Sequence, residues 1–513
     1  MNGHEGSCGT PTTAKRNWIG RVVLMRRPLL SLWPFLACTM LASPEDLLLS
    51  DESVPWETIG EDFLERPAPV NEAIEDLIFK SNRERKEIIA KQNLTGQDLD
   101  PPERKTIFGR SPFLGSGEID PGFELPTGAV WQPTVILYGT YRTALQTYSN
   151  GSRDVTEWAN RFDLFSNIYL TPTERILIGL RPLDRNAQFA GYRFSSPRGG
   201  QGGLDANINT LFFEGDFGEL FPNLDPHDEK SLDYGFAVGR MPLNFQDGIM
   251  INDFVDAIGI TRSSMFLGGA SASRLTALVA WNQIHRGNNV EDKGANLYGL
   301  FYAADYAKST YEVDLAYVEG SNSIGGDGLY FGVGQTRRFG KLNSTLRANV
   351  SWALENQTPA VDNGLLLFSQ VSRTMNYNYD IAYLNTFWGV GDYTSAARDP
   401  AAGGSIGGIS GLLFEAVGLG GYGSALTNQS NDAVAMALGY QHFLEGQFSK
   451  NQISAEIGGR FATDKNSRSG AGIALRYQHA LGQHSILRLD GFAGSYDDGT
   501  AGGGLRAEWS YQF

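Results

Sequence analysis

The chain has 513 residues, a formal charge of −15 and a mean hydropathy of −0.25. The acidic balance disfavours a nucleic-acid partner, because phosphate backbones select basic surfaces. Beyond the first fifty residues no apolar run approaches the roughly 20 residues of a membrane-spanning helix. That excludes a helical membrane protein but not a β-barrel, whose strands keep one polar face each.

Arg26 and Arg27 precede a mostly apolar run from Pro28 to Ser43 that ends in small residues. Basic, apolar, then small is the order of a secretory signal, so residues 1–43 are expected to be a signal peptide cut near Ala42 or Ser43. The long basic lead makes Met25 an alternative start. Both cysteines, Cys8 and Cys38, fall in this segment, so the mature chain is expected to hold neither a disulfide nor a thiol nucleophile. Residues 44–126 are acidic and partly helical. Asn71 to Leu94 carries Ile74, Leu77, Ile78, Ile88 and Ile89 on a stripe interrupted by the charged run Lys80 to Glu87, and Pro101-Pro102 ends it. A short periplasmic segment is expected there.

From residue 127 to the end the pattern has period two, the signature of strands. Phe162, Leu164, Ile168 and Leu170 stand opposite Arg161, Asp163 and Asn167; Leu275, Ala277, Val279 and Trp281 oppose Arg274 and Thr276. Leu346, Ala348, Val350, Trp352 and Leu354 alternate with Arg347, Asn349, Ser351 and Glu355. Later strands set Ile453, Ala455 and Ile457 against Ser454, Glu456 and Arg460, Ile473 and Leu475 against Arg476, and Leu487 and Leu489 against Arg488 and Asp490. Many run to about ten residues or more, the length of a tilted membrane strand. With no long helical pattern to cover their apolar faces, lipid is the simplest cover.

About 16–18 strands fit the chain, starting near Trp131, and their connections tend to alternate short and long, as in membrane barrels. Thr171–Glu174, Phe339–Lys341 and Leu481–Gln483 are short; Ser195–Ala206, Asn356–Gly364 and Thr394–Asp432 are long. Phe221–Ser231 is too long for its place on the short side. The Gly/Ala-rich stretch 394–432 includes Ser405 to Phe414, too apolar to lie free in water, and is a candidate inward-folded constriction loop.

The last strand runs from Gly502 to Phe513, with Leu505, Ala507, Trp509, Tyr511 and Phe513 on one face and Arg506, Glu508, Ser510 and Gln512 on the other. An alternating strand that ends on Phe resembles the closing strand of bacterial outer-membrane β-barrels of the porin class. The resemblance implies an all-β, transmembrane antiparallel barrel of about 16–18 strands over residues 127–513, in the outer membrane of a Gram-negative bacterium. It also implies outer-membrane lipid as the surroundings and Trp509, Tyr511 and Phe513 as a signal to the barrel-assembly machinery, and it admits a homotrimer. The stretch Gly239 to Asp256 reads as a loop with an Asp-Gly turn. It also resembles the Gly-Arg/Lys-x-Pro segment of phosphate-selective and alginate-export-type porins, which implies Arg240, Asp247, Asp253 and Arg262 near the pore mouth.

The polar faces supply the other lining candidates: Arg161, Asp163, Arg274, Arg347, Glu355, Glu456, Arg476, Arg488, Asp490, Arg506 and Glu508. Rings of such charge set the sign of permeant ions, and opposite charges on neighbouring strands also satisfy one another. The six histidines do not pair at metal-ligand spacing, and neither a cofactor nor an enzymatic activity is expected. The reading is a porin-like channel for passive diffusion of small hydrophilic or anionic solutes through a charged, water-filled lumen. A polysaccharide export or uptake channel and a non-transporting envelope or adhesin barrel are the alternatives.

Overall fold

Period-two alternation becomes one closed antiparallel sheet. The computed structural model describes residues 106–108, 122–185, 187–227, 232–321, 323–375, 379–406, 411–444, 449–464 and 467–513. The expected signal peptide 1–43 and the helix Asn71 to Leu94 lie outside the described residues, as does most of the acidic segment. The wall has 18 strands among the described residues. In chain order they are β1 (Thr134–Ser149), β2 (Asp154–Tyr169), β3 (Arg175–Leu180), β4 (Ile208–Asp216), β5 (Tyr234–Phe245), β6 (Ile251–Met265), β7 (Ala272–Trp281), β8 (Asn296–Tyr306) and β9 (Ser309–Glu319). Then follow β10 (Gly328–Phe339), β11 (Leu342–Ala353), β12 (Gly364–Thr374), β13 (Ile381–Gly391), β14 (Ala433–Phe443), β15 (Asn451–Ala462), β16 (Gly470–Ala480), β17 (Ser485–Tyr496) and β18 (Ala501–Gln512).

Each strand pairs with the next, and β18 closes on β1 from Gly503↔Ser149 to Gln512↔Thr140. Phe513 extends the seam by one row, exchanging backbone hydrogen bonds of 3.2 and 3.1 Å with Gly139. Below that row the free edge of β1 pairs with Thr106–Phe108. The wall therefore starts at Thr134 and not at Trp131, which sits in a two-residue strand paired with Phe123–Glu124.

The outer face is the apolar one. Leu505 is 67% exposed, Ile473 58% and Met436 55%, while Arg506 and Glu508, on the opposite face of the strand from Leu505, are 3% and 1% exposed. Aromatic side chains flank this band at both ends: Trp158, Trp281, Trp352 and Phe461 toward one rim, Tyr234, Tyr306, Phe339, Tyr440 and Tyr511 toward the other. An aliphatic belt between two aromatic girdles is the outer surface of a membrane barrel. The second rim carries the short turns, such as 307–308 and 340–341, and the first carries the long connections. The long exception on the short-turn side, residues 217–233, holds a helical turn, Phe217–Leu220, capped by Asp216. It leaves the alternation intact and the strand count even.

Two segments leave the wall and fold inside. The first is the tip of the β5–β6 hairpin. Its ladder runs from Tyr234↔Arg262 to Phe245↔Ile251, but β4 accompanies it only to Arg240 and β7 only to Asp256. Gly239, with φ of +126°, bends the hairpin at that row, and a Cβ there would lie 2.8 Å from Phe212 Cα. The tip crosses to the far wall, where Gln246 donates to Asp314 of β9 (2.6 Å) and Arg347 of β11 donates to Asp247 (2.7 Å). Ile249, Met250 and Ile251 are completely buried.

The second is the 392–432 connection, which contains the stretch 394–432 expected to fold inward. It touches β1, β2, β12, β13, β15, β16, β17 and the hairpin tip, a set reachable only from inside the cylinder. Its apolar part packs Ile406, Leu413 and Phe414 against Leu366, Phe368 and Phe387 of the inner wall, the rings of Phe387 and Phe414 meeting edge to face at 5.4 Å. Each such side chain contributes about 1.5–3 kcal/mol on leaving water. The inner face of β12–β14 is thus apolar, contrary to the uniformly polar lining expected from the alternation.

At the short-turn rim Asp380 accepts hydrogen bonds from Tyr440 Oη (2.6 Å), His442 Nδ1 (2.7 Å) and the Phe443 amide (2.9 Å). Burial alone would raise this carboxyl, but these donors outweigh it and hold it below its usual range.

Two outcomes follow from these joints. Ala at Gly239 must adopt a strained φ and approach Phe212, so G239A is expected to cost about 1–3 kcal/mol and lower the temperature at which the folded gel band converts to the unfolded one. An unchanged transition would remove the bend from its assigned role. The Asp380 lock has a depressed native value, so its contribution is full above about pH 4 and is lost as pH falls through that value. D380N should therefore melt earlier than the wild type at pH 7, and the gap should close on acidification; a gap that widens would refute the assignment.

Candidate functional site

Inward-facing arginines meet carboxylates row by row on neighbouring strands. Arg142 of β1 pairs with Glu508 of β18 at 3.0 Å, and Glu508 also takes Arg506 at 2.9 Å and Arg488 of β17 at 3.4 Å. Arg506 reaches Asp490 at 2.5 Å, Asp490 takes Arg476 of β16 at 2.6 Å, and Arg476 reaches Glu415 of the inner segment at 2.6 Å. Four guanidinium groups (Arg142, Arg476, Arg488, Arg506) thus share three carboxylates (Glu415, Asp490, Glu508), an excess of one positive charge. Arg488 is the most open of the four, its side chain 25% exposed. Beside them a cavity of about 20 Å³ is lined by Glu415, Tyr422, Arg476, Asp490 and Phe492.

A second charged group lies on the other side of the inner segment. Asp163 receives Arg161 at 2.8 Å and Arg181 at 3.1 Å, and Arg181 also reaches Asp399 of the segment at 3.5 Å. The Arg181 guanidinium lies 4.4 Å above the Phe254 ring, and Arg240 pairs with Asp256 at 3.6 Å. A cavity of about 60 Å³ opens between Arg181, Asp184, Arg240, Phe254, His285 and Asp399.

Between the two groups the hairpin tip and the inner segment are joined. Ile251 and Asn252 pair in parallel with Ala397 and Arg398. Tyr393 and Ser395 donate to the Ile249 carbonyl at 3.2 and 2.7 Å. Arg398 is 1% exposed and among the described residues has no carboxylate partner; it donates to the carbonyls of Gly248 and Ser405 and to Ser395 Oγ. The far side of the segment is anchored by Arg142 to Val417 O (3.2 Å), Arg161 to Gly418 O (3.0 Å) and Gln146 to Leu419 O (3.0 Å). Among the described residues the hairpin tip and the inner segment thus form a bridge with anchors on β9 and β11 at one end and on β1 and β2 at the other.

Of the residues singled out by sequence, Arg161, Asp163, Arg476, Arg488, Asp490, Arg506 and Glu508 come together in the two charged groups. Arg240 joins the second cavity, and Asp247 and Arg347 tie the hairpin tip to the wall. Asp253 is 1% exposed and bonded to His285 at 2.9 Å, and Glu456 is occupied by the amides of Leu412 and Leu413 and by Tyr383, so both hold structure together. Arg274 stays on the inward face, exposed and away from both groups.

Two candidates are displaced. Arg262 shares its face with the exposed Ile258 and Ile260 and lies over the Tyr234 ring at 4.6 Å, so it belongs to the outer surface at the short-turn rim and not to the pore mouth. Glu355 falls beyond the end of β11, exposed in the 354–363 connection. Trp509, Tyr511 and Phe513 stand on the outer face, packed with Tyr141 and Phe162 across the seam.

Arg142, Glu415 and Arg398 were not singled out. The alternation around Tyr141 and Thr143 marks Arg142 as inward, whereas nothing local marks the other two. Gly403-Gly404-Ser405-Ile406-Gly407 has the spacing of a hydrolase nucleophile motif, but the Ser405 hydroxyl donates to Ser430 Oγ at 2.8 Å inside the bridge.

No protein-family model matches this chain, and no curated protein matches it. Solved structures do. A BenF-like porin from Pseudomonas fluorescens Pf-5 has a TM-score of 0.50 at 10% identity, covering 74% of this chain and 98% of that one. The outer membrane protein opdK from Pseudomonas aeruginosa reaches 0.49 at 13%, over 74% and 98%, and Acinetobacter baumannii OccAB3 reaches 0.48 at 11%, over 74% and 99%. The likeness to the BenF-like porin is one of fold: this chain has an 18-strand closed antiparallel barrel of the same kind.

Replacing Arg398 by Met keeps the volume and removes the donors. Each buried carbonyl left unpaired costs about 1–3 kcal/mol, so R398M is expected to loosen the bridge while the wall stays folded. Limited chymotrypsin digestion should then cut within 392–432 in R398M and not in the wild type. Identical digestion patterns would contradict the role of Arg398.

Proposed function

We propose that this barrel is an outer-membrane channel of a Gram-negative bacterium, passing small hydrophilic solutes with a preference for anions. The porin-type fold and the aliphatic belt support residence in a bilayer, and the short turns and chain end on one rim support placing that rim in the periplasm. The observation that carries the selectivity is the row Arg142–Glu508–Arg506–Asp490–Arg476, with Arg488 beside it. It presents more guanidinium than carboxylate where the bridge narrows the lumen. A small anion exchanges among such donors at little cost, because each is already half-neutralised and none binds it tightly. The bridge disfavours the polysaccharide alternative, since a polymer needs a lumen that no anchored segment crosses.

Conductance in planar bilayers tests this. Stepwise current with a reversal potential on the anion-selective side of a KCl gradient is expected for the wild type. R488Q, which alters the most open guanidinium and no bridge contact, should shift that potential toward zero by several millivolts, on the order of a twofold fall in the anion-to-cation ratio. Zero current would move the protein to the non-transporting class, and cation selectivity would reject the role given to the arginines.

A further inference from the structure

Solute passage leaves one part of the surface without a role, the outward face of the short-turn rim from β6 to β12. On β10 the exposed Phe331 and Val333 share a face with Arg337 and Phe339, and the Arg337 guanidinium lies over the Phe339 ring at 4.5 Å. Arg337 pairs across the sheet with Ser309, next to Lys308 in the β8–β9 turn. On β12 Arg373 follows Leu365 and Leu367 on the outward face and is paired with Leu342, next to Lys341 in the β10–β11 turn. Arg262 extends the row on β6, over Tyr234. Lys308, Arg337, Lys341 and Arg373 are all exposed. Among the described residues Lys308, Arg337 and Arg373 enter no ion pair.

Two carboxylates of this rim have partners of their own. Asp305 accepts the Thr310 hydroxyl at 2.6 Å, and Asp380 is buried beneath Tyr440 and His442. These basic residues lie at the short-turn edge of the aliphatic belt, the position from which long cationic side chains snorkel. What fits such an edge must carry acyl chain and anion in one molecule. A phosphodiester headgroup does, and arginine forks bind its oxygens in pairs.

We propose that Lys308, Arg337, Lys341 and Arg373, continued by Arg262, form a binding surface for anionic phospholipid headgroups of the periplasmic leaflet. The proposal rests on reading the belt as bilayer-facing and is independent of the channel's selectivity. It assigns the barrel an annulus enriched in anionic lipid on this arc.

The test uses the full barrel in nanodiscs of dioleoylphosphatidylcholine doped with dioleoylphosphatidylglycerol, with retained lipid counted by native mass spectrometry after release. The wild type is expected to retain phosphatidylglycerol over phosphatidylcholine by roughly tenfold, and the triple variant K308Q/R337Q/R373Q to lose most of that preference. R338Q changes the neighbouring arginine, which has the opposite parity on β10 and donates to Gly340 O, and should keep the preference. If the triple variant fails to insert, R337Q and R373Q singly should each lower it. Equal preference in the wild type and the variants overturns the proposal, as does displacement of the lipid by millimolar inorganic phosphate. A wild type that enters discs and shows no preference overturns this inference alone. A wild type that enters no disc overturns the membrane reading as well.

Discussion

Backbone amides and carbonyls facing hydrocarbon have no water to fall back on, and each one left unpaired there costs several kcal/mol. That constraint organises the molecule. It requires the last strand to find the first, and the seam does so row by row until Phe513 and Gly139 exchange the final pair of hydrogen bonds. The one stretch of β1 that β18 cannot reach is paired by Thr106–Phe108, from the chain preceding the barrel. Closure also assigns every side chain to one of two surfaces, and the chemistry of the protein follows from that division.

Inside, closure creates a space that a wall of this circumference cannot fill with its own side chains. The hairpin tip and the 392–432 segment fill part of it, and their apolar cores match an apolar arc of the wall on β12–β14. The charged rows then lie on the two flanks of the bridge. The same arginines that face the open space also hold the segment through its carbonyls, as Arg142 and Arg161 do. In the proposed channel, selectivity and the position of the constriction are therefore coupled: a change at one of these residues would alter both the field and the shape of the passage.

Much of this was legible in the sequence, for a physical reason. A two-sided wall between oil and water writes its own alternation, so the outer face could be read directly, while the closing strand and a count of about 16–18 came from the resemblance to outer-membrane barrels. The inward fold of 392–432 was legible because Ser405 to Phe414 is too apolar for water. The hairpin tip was not, because its strands continue the same alternation past their neighbours; the bend rests on the φ of Gly239, and an Arg-Met-Pro sequence after it looks like any loop. The five-residue run from Gly364 to Phe368 did carry a signal, apolar on both faces, of an inner wall that is covered. Arg262 was misplaced because a local resemblance to other porins put it at the pore mouth, when parity with Ile258 and Ile260 puts it outside. Arg398 and Glu415 lie in irregular backbone, where no periodicity tells which way a side chain points.

The central claim is that hydrocarbon covers the aliphatic belt. Sedimentation velocity of the refolded chain tests it most directly. The chain should sediment as one species of barrel mass in detergent and aggregate when detergent is removed by dilution. A monodisperse, folded chain in plain buffer would contradict the claim, because a belt of that exposure cannot stay dispersed in water.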